Sequence, residues 1–298
     1  MNDTRPSNPL PLAIIGDRIN PGFKSTKALL DADDMAGMQA LALRQVESGA
    51  SSLDFTIGPR AKEDPQFLVK VIRAVQEAVT VPLCFDYPEP GIQQVCLKAY
   101  DPSKANGAKP IINSMAETRW DMVELLKIRP CKVLLMASER LEGGLGKPNK
   151  TAAEIAGTAK RAALRLVREH GLELDDVIID VSISAIIADT AGMNREALAA
   201  IGLLGADPEL KGLHVSGGLS NIAQQLPPKA ADGSDLKAQL ECAFLTLARP
   251  LGMDTVLGTP WRDFSMLPED NYVLGVLKQI MQASGTEVLR QVRKLYRK

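Results

Sequence analysis

The chain has 298 residues, of which 45% are apolar and 24% are charged, and this composition excludes an intrinsically disordered protein. The 35 basic and 36 acidic residues leave a net charge of −1, so no basic excess is present for general nucleic-acid binding. No apolar run reaches the roughly 18 residues of a membrane helix. Residues 1–11 lack a signal-peptide layout. We expect a cytoplasmic protein that binds neither nucleic acid nor membrane, with residues 1–11 as an N-terminal tail.

Short apolar runs recur along the chain and predict eight strands. Most of the runs are almost continuously apolar, which is typical of strands that are covered on both faces in a parallel sheet. The predicted strands are Leu12–Ile15, Ser52–Ile57, Pro82–Asp86, Pro110–Ser114, Val133–Ala137, Val177–Val181, His214–Gly217 and Thr255–Gly258.

Between these runs, apolar residues recur at helical spacing, and Gly49 and Gly171 follow two of the segments as C-cap signals. The predicted helices are Asp34–Ser48, Pro65–Val79, Ile92–Tyr100, Glu117–Ile128, Thr151–His170, Asn194–Gly205 and Lys237–Ala248, with one or two more within Asn271–Arg297. Eight alternating strands and helices predict an α/β fold, a single-domain (β/α)8 TIM barrel over residues 12–298. A doubly wound open sheet is the alternative, but residues 16–20 (GDRIN) are not a dinucleotide loop.

The chain has four cysteines and two histidines, and their spacing predicts no metal site. The cysteines are too far apart for a zinc ribbon or a CxxC motif, so we expect buried, unreactive thiols. Residues 143–147 (GGLGK) resemble a phosphate loop, but the first glycine and the final Ser or Thr of that motif are missing. We predict a mobile loop there, beside the site described next.

Polar residues follow several predicted strands at their carboxyl ends, where barrels of this type carry their active sites. Asp86, Asn113, Asp180 and Asn221 come from four different strands and should converge over one barrel mouth. The alternative is that each residue caps the helix that follows it. Together they offer hydrogen-bond donors and acceptors without an obvious nucleophile, which suits a planar heterocycle with N–H, amino and carbonyl groups at its edge.

The segments at the strand ends resemble the pterin-binding barrel family, and most closely its methyltetrahydrofolate:corrinoid methyltransferase branch. The resemblance runs in order from residue 15 to about residue 225, and its last segment is the most specific. The matching segments are 15–20 (IGDRIN), 53–59 (LDFTIGP), 83–86 (LCFD), 112–114 (INS), 179–180 (ID) and 218–224 (GLSNIAQ).

The resemblance implies an enzyme that moves a methyl group between N5 of tetrahydrofolate and the cobalt of a separate corrinoid protein. The corrinoid partner would carry the cobalamin, the enzyme would bind no metal directly, and the family is typically homodimeric. Asp86, Asn113 and Asp180 would hold the pterin edge. Asn221 would lie near N5 as the catalytic residue, with Gln224 in the same pocket. Further candidates for this site are Asn20, Asp54 and Ser220.

The sequence departs from the family pattern at a few positions. Thr56 replaces a usual Asn, Val181 and Ser182 follow Asp180 where a Pro is usual, and Tyr87 and Pro88 replace small polar residues. The segment 138–151 is longer than is typical of the family. These departures leave open the direction of transfer and the identity of the partner.

The proposed chemistry requires assistance at N5, which is a poor leaving group in 5-methyltetrahydrofolate. We expect Asn221 to supply a hydrogen bond that strengthens as charge changes at N5, with water as the proton source. The methyl group could flow from folate to cobalt, or from a demethylation-derived methylcobalamin to folate. Two alternatives remain: a dihydropteroate synthase-like pterin enzyme, and a non-catalytic folate-binding subunit of a methyltransferase complex.

Overall fold

Eight parallel strands form a barrel in the computed structural model, which describes residues 12–297. Each strand pairs with its neighbour in chain order, and the last pairs with the first. The barrel closes where the N–H of Leu257 donates to the carbonyl oxygen of Gly217 at 3.2 Å. The predicted TIM barrel is therefore confirmed. Its strands are β1 (Ala13–Ile19), β2 (Ser52–Phe55), β3 (Leu83–Asp86), β4 (Ile111–Met115), β5 (Lys132–Met136), β8 (Val177–Asp180), β9 (His214–Ser216) and β10 (Thr255–Gly258). Two further strands, β6 (Glu139–Glu142) and β7 (Leu145–Pro148), form a separate hairpin outside the barrel sheet.

Helices surround the barrel, and no helix within residues 12–297 is long and apolar enough to cross a membrane. They are α1 (Lys24–Asp31), α2 (Met35–Glu47), α3 (Arg60–Glu63), α4 (Pro65–Ala78), α5 (Pro90–Ala99), α6 (Ala152–His170), α7 (Met193–Gly205), α8 (Leu236–Ala248), α9 (Tyr272–Gln282) and α10 (Thr286–Lys294). The prediction missed α1 and α3, which are short; the residues before them, Phe23 and Pro59, provide no side-chain cap. The segment Glu117–Lys127 forms 3-10 turns, with a break at Arg119 (φ −129°, ψ 46°). The predicted tail, residues 1–11, lies outside the described residues.

Two apolar clusters hold the barrel together. The larger one fills the space between the strands and the helices. The smaller one lies inside the barrel and consists of Ile15, Cys84, Ile111, Leu134 and Ile178, each at most 5% exposed. Complete burial of one such aliphatic side chain stabilises the fold by roughly 1.5–3 kcal/mol. All four cysteines are buried and unpaired, as the sequence analysis expected.

The segment predicted as a loop after the fifth strand is instead an antiparallel hairpin. It consists of β6 (Glu139–Glu142) and β7 (Leu145–Pro148), joined at Gly143 and Gly144, whose φ angles of 61° and 81° favour glycine. The N–H of Leu141 donates to Oε2 of Glu117 at 3.1 Å, which ties the hairpin to the 3-10 segment. The loop prediction was wrong because short polar strands carry no apolar alternation.

A network of ion pairs joins the amino ends of the later strands, on the side of the barrel opposite the predicted site. His214 at the start of β9 lies 2.7 Å from Asp254, which precedes β10. Its second ring nitrogen lies 3.1 Å from Asp175, which also pairs with Lys132 of β5 at 2.7 Å. Hydrogen bonding to Asp254, and then to Asp175, raises the pKa of His214. The protonated imidazole therefore links three neighbouring strands.

We expect His214→Gln to remove a pH-dependent part of the protein's stability. Because the pKa is raised on folding, this contribution is fully present below the unfolded pKa of about 6.5 and is lost as pH rises through the folded pKa. Urea unfolding at pH 6 should show a loss of about 1 kcal/mol in the variant. At pH 9 the difference should be small. An equal loss at both pH values would contradict this ionic role and indicate lost packing.

Candidate functional site

Four polar side chains form a layer at the carboxyl end of the barrel, above the inner apolar cluster. Side chains two positions apart on a strand face the same side. Asp86, Asn113 and Asp180 therefore project into the barrel directly above Cys84, Ile111 and Ile178 of that cluster. Pairing places Asp86 beside Asn113 and Asp180 beside Ser216. The strand period thus brings together three of the four residues that were expected to converge, and the position of the fourth, Asn221, is described below.

The fourth member of the layer is Asp54 on β2. Its side chain is 2% exposed, and its Oδ1 accepts a hydrogen bond from Nδ2 of Asn113 at 3.0 Å. The backbone of Asn113 is also fixed, because its carbonyl oxygen accepts from Nε2 of Gln93 at 3.0 Å and from the N–H of Tyr87 at 3.0 Å. These contacts hold the amide of Asn113 in place before any ligand binds.

The structure does not support the alternative that these residues cap helices. The helix α5, after Asp86, begins behind Glu89, and the 3-10 segment after Asn113 begins behind Ala116. Asp180 does make a local contact, since its Oδ1 accepts from the N–H of Ser182 at 2.6 Å. Its Oδ2 and the second lone pair of Oδ1 have no hydrogen-bond donor among the described residues and can accept from a ligand.

The carboxyl groups of this layer hold their protons unusually strongly. Burial, followed by the charge of Asp86, raises the pKa of Asp54 well above its usual range. Burial raises the pKa of Asp86 too, although the guanidinium of Arg119 opposes the shift. Burial and the charge of Asp86 raise the pKa of Asp180 to about 6. Several buried carboxyl groups close together are unfavourable without a ligand and are typical of a functional site.

Asp54→Asn should make the ligand-free protein more stable at neutral pH. Because the pKa of Asp54 is raised on folding, this carboxyl group lowers the free energy of unfolding once pH exceeds the unfolded pKa of about 3.9. The amide can still accept the hydrogen bond from Asn113, so we expect a gain of about 0.5–2 kcal/mol in urea unfolding at pH 7. The gain should shrink as pH falls toward 4. A less stable variant at pH 7 would indicate that the carboxylate supports the fold.

A second polar group at the mouth was not selected from the sequence. Asp17 on β1 is 4% exposed, and its Oδ1 accepts from Oγ1 of Thr259 at 2.9 Å. Burial raises its pKa, while hydrogen bonds from Thr259 and Ser220 and the charges of Arg18 and Arg262 oppose the shift. The signal in the sequence was an Asp–Arg pair within a β-rich run. Ser220, which the sequence analysis named as a further candidate for the site, lies beside Asp17 and hydrogen-bonds to it.

Arg119 was also missed, and it lies close to the acidic layer. The break in the 3-10 segment turns its side chain toward β4, where Nη2 donates to Oγ of Ser114 at 3.1 Å. Its charge acts on Asp86. Backbone irregularities of this kind have no signature in the residue pattern.

Asn221 lies in a 3-10 turn, Leu219–Asn221, that follows β9. The side chain is half-buried, and its Oδ1 accepts from Nε2 of Gln224 at 2.7 Å. A Cβ at position 218 would lie 2.8 Å from Nδ2 of Asn221, so a larger residue there would displace this amide. Gln224 itself is exposed. Asn20 is used locally, since its Oδ1 accepts from the N–H of Gly22 at 2.8 Å and closes a turn.

Comparison with known proteins agrees with this architecture. The family model described as pterin binding enzyme matches residues 19–257. A curated relative, the methylcorrinoid:tetrahydrofolate methyltransferase of Eubacterium limosum, is 26% identical over 255 residues, which cover 84% of this chain and 85% of the relative.

Among solved structures, the dihydropteroate synthase of Xanthomonas albilineans in complex with 7,8-dihydropteroate matches with a TM-score of 0.56 and 16% identity over 92% of this chain and 95% of that chain. The dihydropteroate synthase of Stenotrophomonas maltophilia matches with a TM-score of 0.59 and 16% identity, over 91% and 93% of the two chains. At these identities the likeness to the solved structures concerns the fold. Because the family model spans most of the barrel, this chain belongs to the pterin-binding enzyme family.

Proposed function

We propose that this protein transfers a methyl group from a methylcorrinoid, carried by a separate protein, to N5 of tetrahydrofolate. The observation that carries the proposal is the layer of Asp54, Asp86, Asn113 and Asp180, whose acceptors and single amide match the edge of a pterin. The activity in the name of the Eubacterium limosum relative supports this choice of reaction and of direction.

Recognition of the pterin would use the carboxylates as paired acceptors. The 2-amino group and the N3–H of a pterin point in parallel, so one carboxylate can accept both hydrogen bonds. We assign this role to Asp180, with Asp86 and Asn113 contacting the remaining ring nitrogens and the carbonyl. Buried carboxylates with few hydrogen-bond donors cost free energy in the ligand-free protein. Binding lowers this cost, because the N–H groups of the pterin donate to the carboxylates.

Methyl transfer requires the N5 lone pair to attack the methyl carbon. As the nitrogen–carbon bond forms, the carbon–cobalt bond breaks, its electron pair stays on cobalt, and the N5 proton then passes to solvent. We propose that Oδ1 of Asn221 accepts the N5–H, which directs the lone pair toward the methyl group. Positive charge grows on N5 in the transition state, so this hydrogen bond strengthens there and lowers the barrier.

Gln224 would position Asn221 in this reaction. A carbonyl oxygen has two lone pairs, and Gln224 occupies one of them at 2.7 Å, which leaves the other for N5–H. The corrinoid-carrying partner, a homodimeric state and a single barrel domain are further parts of the proposal. They follow from the resemblance described above, and mass measurement of the purified protein tests the dimer.

The likeness to dihydropteroate synthases raises a second candidate function. Turnover of a pterin pyrophosphate needs cations that contact the leaving pyrophosphate. The segment after β9, with Leu219, Ser220 and Asn221, provides no Lys or Arg for this role. We therefore expect no condensation of a dihydropterin pyrophosphate with 4-aminobenzoate.

The proposed function is tested by incubating the protein with methylcobalamin and tetrahydrofolate under anaerobic conditions. We expect protein-dependent formation of 5-methyltetrahydrofolate, measured by chromatography, together with the absorbance change of demethylated cobalamin. A parallel assay supplies a dihydropterin pyrophosphate and 4-aminobenzoate. Binding of tetrahydrofolate without any methyl transfer, even with added corrinoid proteins, would favour a non-catalytic folate-binding subunit.

A further inference from the structure

We propose that Arg18, Phe23, Arg44 and Trp261 form a subsite for the benzoyl-glutamate tail of the folate. In this arginine–aromatic cluster, Arg18 belongs to the carboxyl-terminal part of β1, Phe23 and Trp261 follow β1 and β10, and Arg44 of α2 contacts Trp261. The inference rests on the proposed function, because it concerns the tail of the proposed substrate, which extends out of the pterin pocket. Nothing in the resemblance or in the names of the relatives assigns these residues.

The geometry of the barrel sets the direction in which the tail leaves. The acidic layer recognises the pyrimidine edge from β3, β4 and β8. In the closed order of eight strands, β10 lies opposite β4, and β1 lies opposite β5, the strand between β4 and β8. The tail is attached at C6 of the pterin, beside N5 and across the fused ring from the amino group. It therefore points toward β10 and β1, on the same side as Asn221 after β9.

Contacts within the cluster provide aromatic faces and positive charge. The guanidinium of Arg18 lies 3.6 Å from the centre of the Phe23 ring and 5.4 Å from that of Trp261. The guanidinium of Arg44, on α2, lies 3.9 Å from the centre of the Trp261 ring. Arginine and aromatic side chains that stack in this way also present edges and outer faces against which a benzoyl ring can pack.

Two arginines of the cluster lack an ion-pair partner in the part of the chain that the structure describes. Over residues 12–297, neither Arg18 nor Arg44 makes an ion pair with a carboxylate within 4.0 Å, whereas neighbouring Arg262 pairs with Glu241. The Nε of Arg18 is buried without a hydrogen-bond partner. Burial lowers the pKa of Arg18, the charge of Asp17 opposes this shift, and the charges of Arg262 and Arg44 add to it. The α- and γ-carboxylates of a glutamate tail would supply the missing negative charge.

A competing path for the tail is less favourable. A cavity of about 310 Å³ opens beside Asp86 between the ends of β2 and β3. Its charged lining consists of Lys62, Glu63 and Glu89 in addition to Asp86. Three carboxylates against one ammonium group would repel the glutamate carboxylates, so this cavity does not match the tail.

The test compares ligands with and without the tail by calorimetric titration. The probes are tetrahydrofolate, its triglutamate and 6-methyltetrahydropterin, which keeps the ring but has no tail. Arg44→Gln is the main variant, because Arg44 is exposed on a helix and the change should not disturb folding. Lys62→Gln is the matched control on the other side of the mouth.

We expect Arg44→Gln to weaken binding of tetrahydrofolate roughly fivefold, and of the triglutamate by more, with less than about a twofold effect on 6-methyltetrahydropterin. Lys62→Gln should leave all three affinities unchanged. Equal losses for all probes, no loss for any, or a tail-dependent loss only in Lys62→Gln would overturn the subsite. Failure of the wild-type protein to bind any of the three would instead overturn the proposed function.

Discussion

Replacing Asp180 with Asn is expected to weaken tetrahydrofolate binding roughly 10- to 100-fold, because the ligand loses a charge-assisted pair of hydrogen bonds. Asp180 lies inside the barrel beside Ser216, and one of its oxygens is held by the N–H of Ser182. The variant keeps the size of the side chain but places an amide where two parallel N–H donors need acceptors. Calorimetric titration with tetrahydrofolate at pH 7.5 measures the loss.

The same residue should make binding depend on pH. Burial and the charge of Asp86 raise the pKa of Asp180 to about 6, so the carboxylate form predominates above that value. Affinity for the pterin should fall as pH decreases from 7 to 5, and it should fall much less in Asp180→Asn. Asp175→Asn, at the opposite end of the barrel, is the control and should bind as the wild type does. An unchanged affinity in Asp180→Asn would assign the pterin edge to other residues.

Asn221→Ala is expected to lower kcat by about 10²–10³, the usual effect of removing a hydrogen bond to a charge that develops in the transition state. The affinity for tetrahydrofolate should change by less than about threefold, because the pterin is held mainly by the acidic layer and the ground-state bond to N5–H is weak. Steady-state methyl transfer from methylcobalamin and separate titrations of tetrahydrofolate provide the two numbers.

Gln224→Ala distinguishes positioning from direct contact. The variant leaves the amide of Asn221 in place but removes the hydrogen bond that orients it. We expect a smaller fall in kcat, roughly tenfold, with binding unchanged. If Asn221→Ala lost binding and kcat in equal proportion, Asn221 would be a binding residue and the proposed role at N5 would be wrong.

The strands and the acidic layer could be predicted because both depend on local patterns. Buried parallel strands are apolar over four to six residues, and a polar residue at the carboxyl end of such a run projects into the barrel mouth, as Asp86 and Asn113 do. The predicted strand ends differ from the structure by only a few residues. The largest difference is at β1, which extends to Ile19 through the polar residues Asp17 and Arg18.

The remaining features depend on contacts that the sequence does not express locally. Thr259 and Asp17 hydrogen-bond across 242 positions, because the last strand closes the barrel against the first. The hairpin Glu139–Pro148 is held by the 3-10 segment that precedes β5, rather than by an apolar face of its own. Arg119 reaches Ser114 through a backbone break at its own position. Each of these needs the tertiary structure before it can be recognised.

The apolar cluster inside the barrel also limits how protons can move. Ile15, Cys84, Ile111, Leu134 and Ile178 form a packed apolar layer between the acidic layer and the ion-pair network at the other end of the barrel. Protons would then reach and leave the acidic layer at the carboxyl end of the barrel, where the proposed corrinoid protein would dock. If methyl transfer occurs as proposed, passage of the N5 proton to solvent would depend on how far the partner covers that end. Proton release and dissociation of the partner would then be coupled, and the solvent isotope effect on turnover would follow the rate at which the two proteins separate.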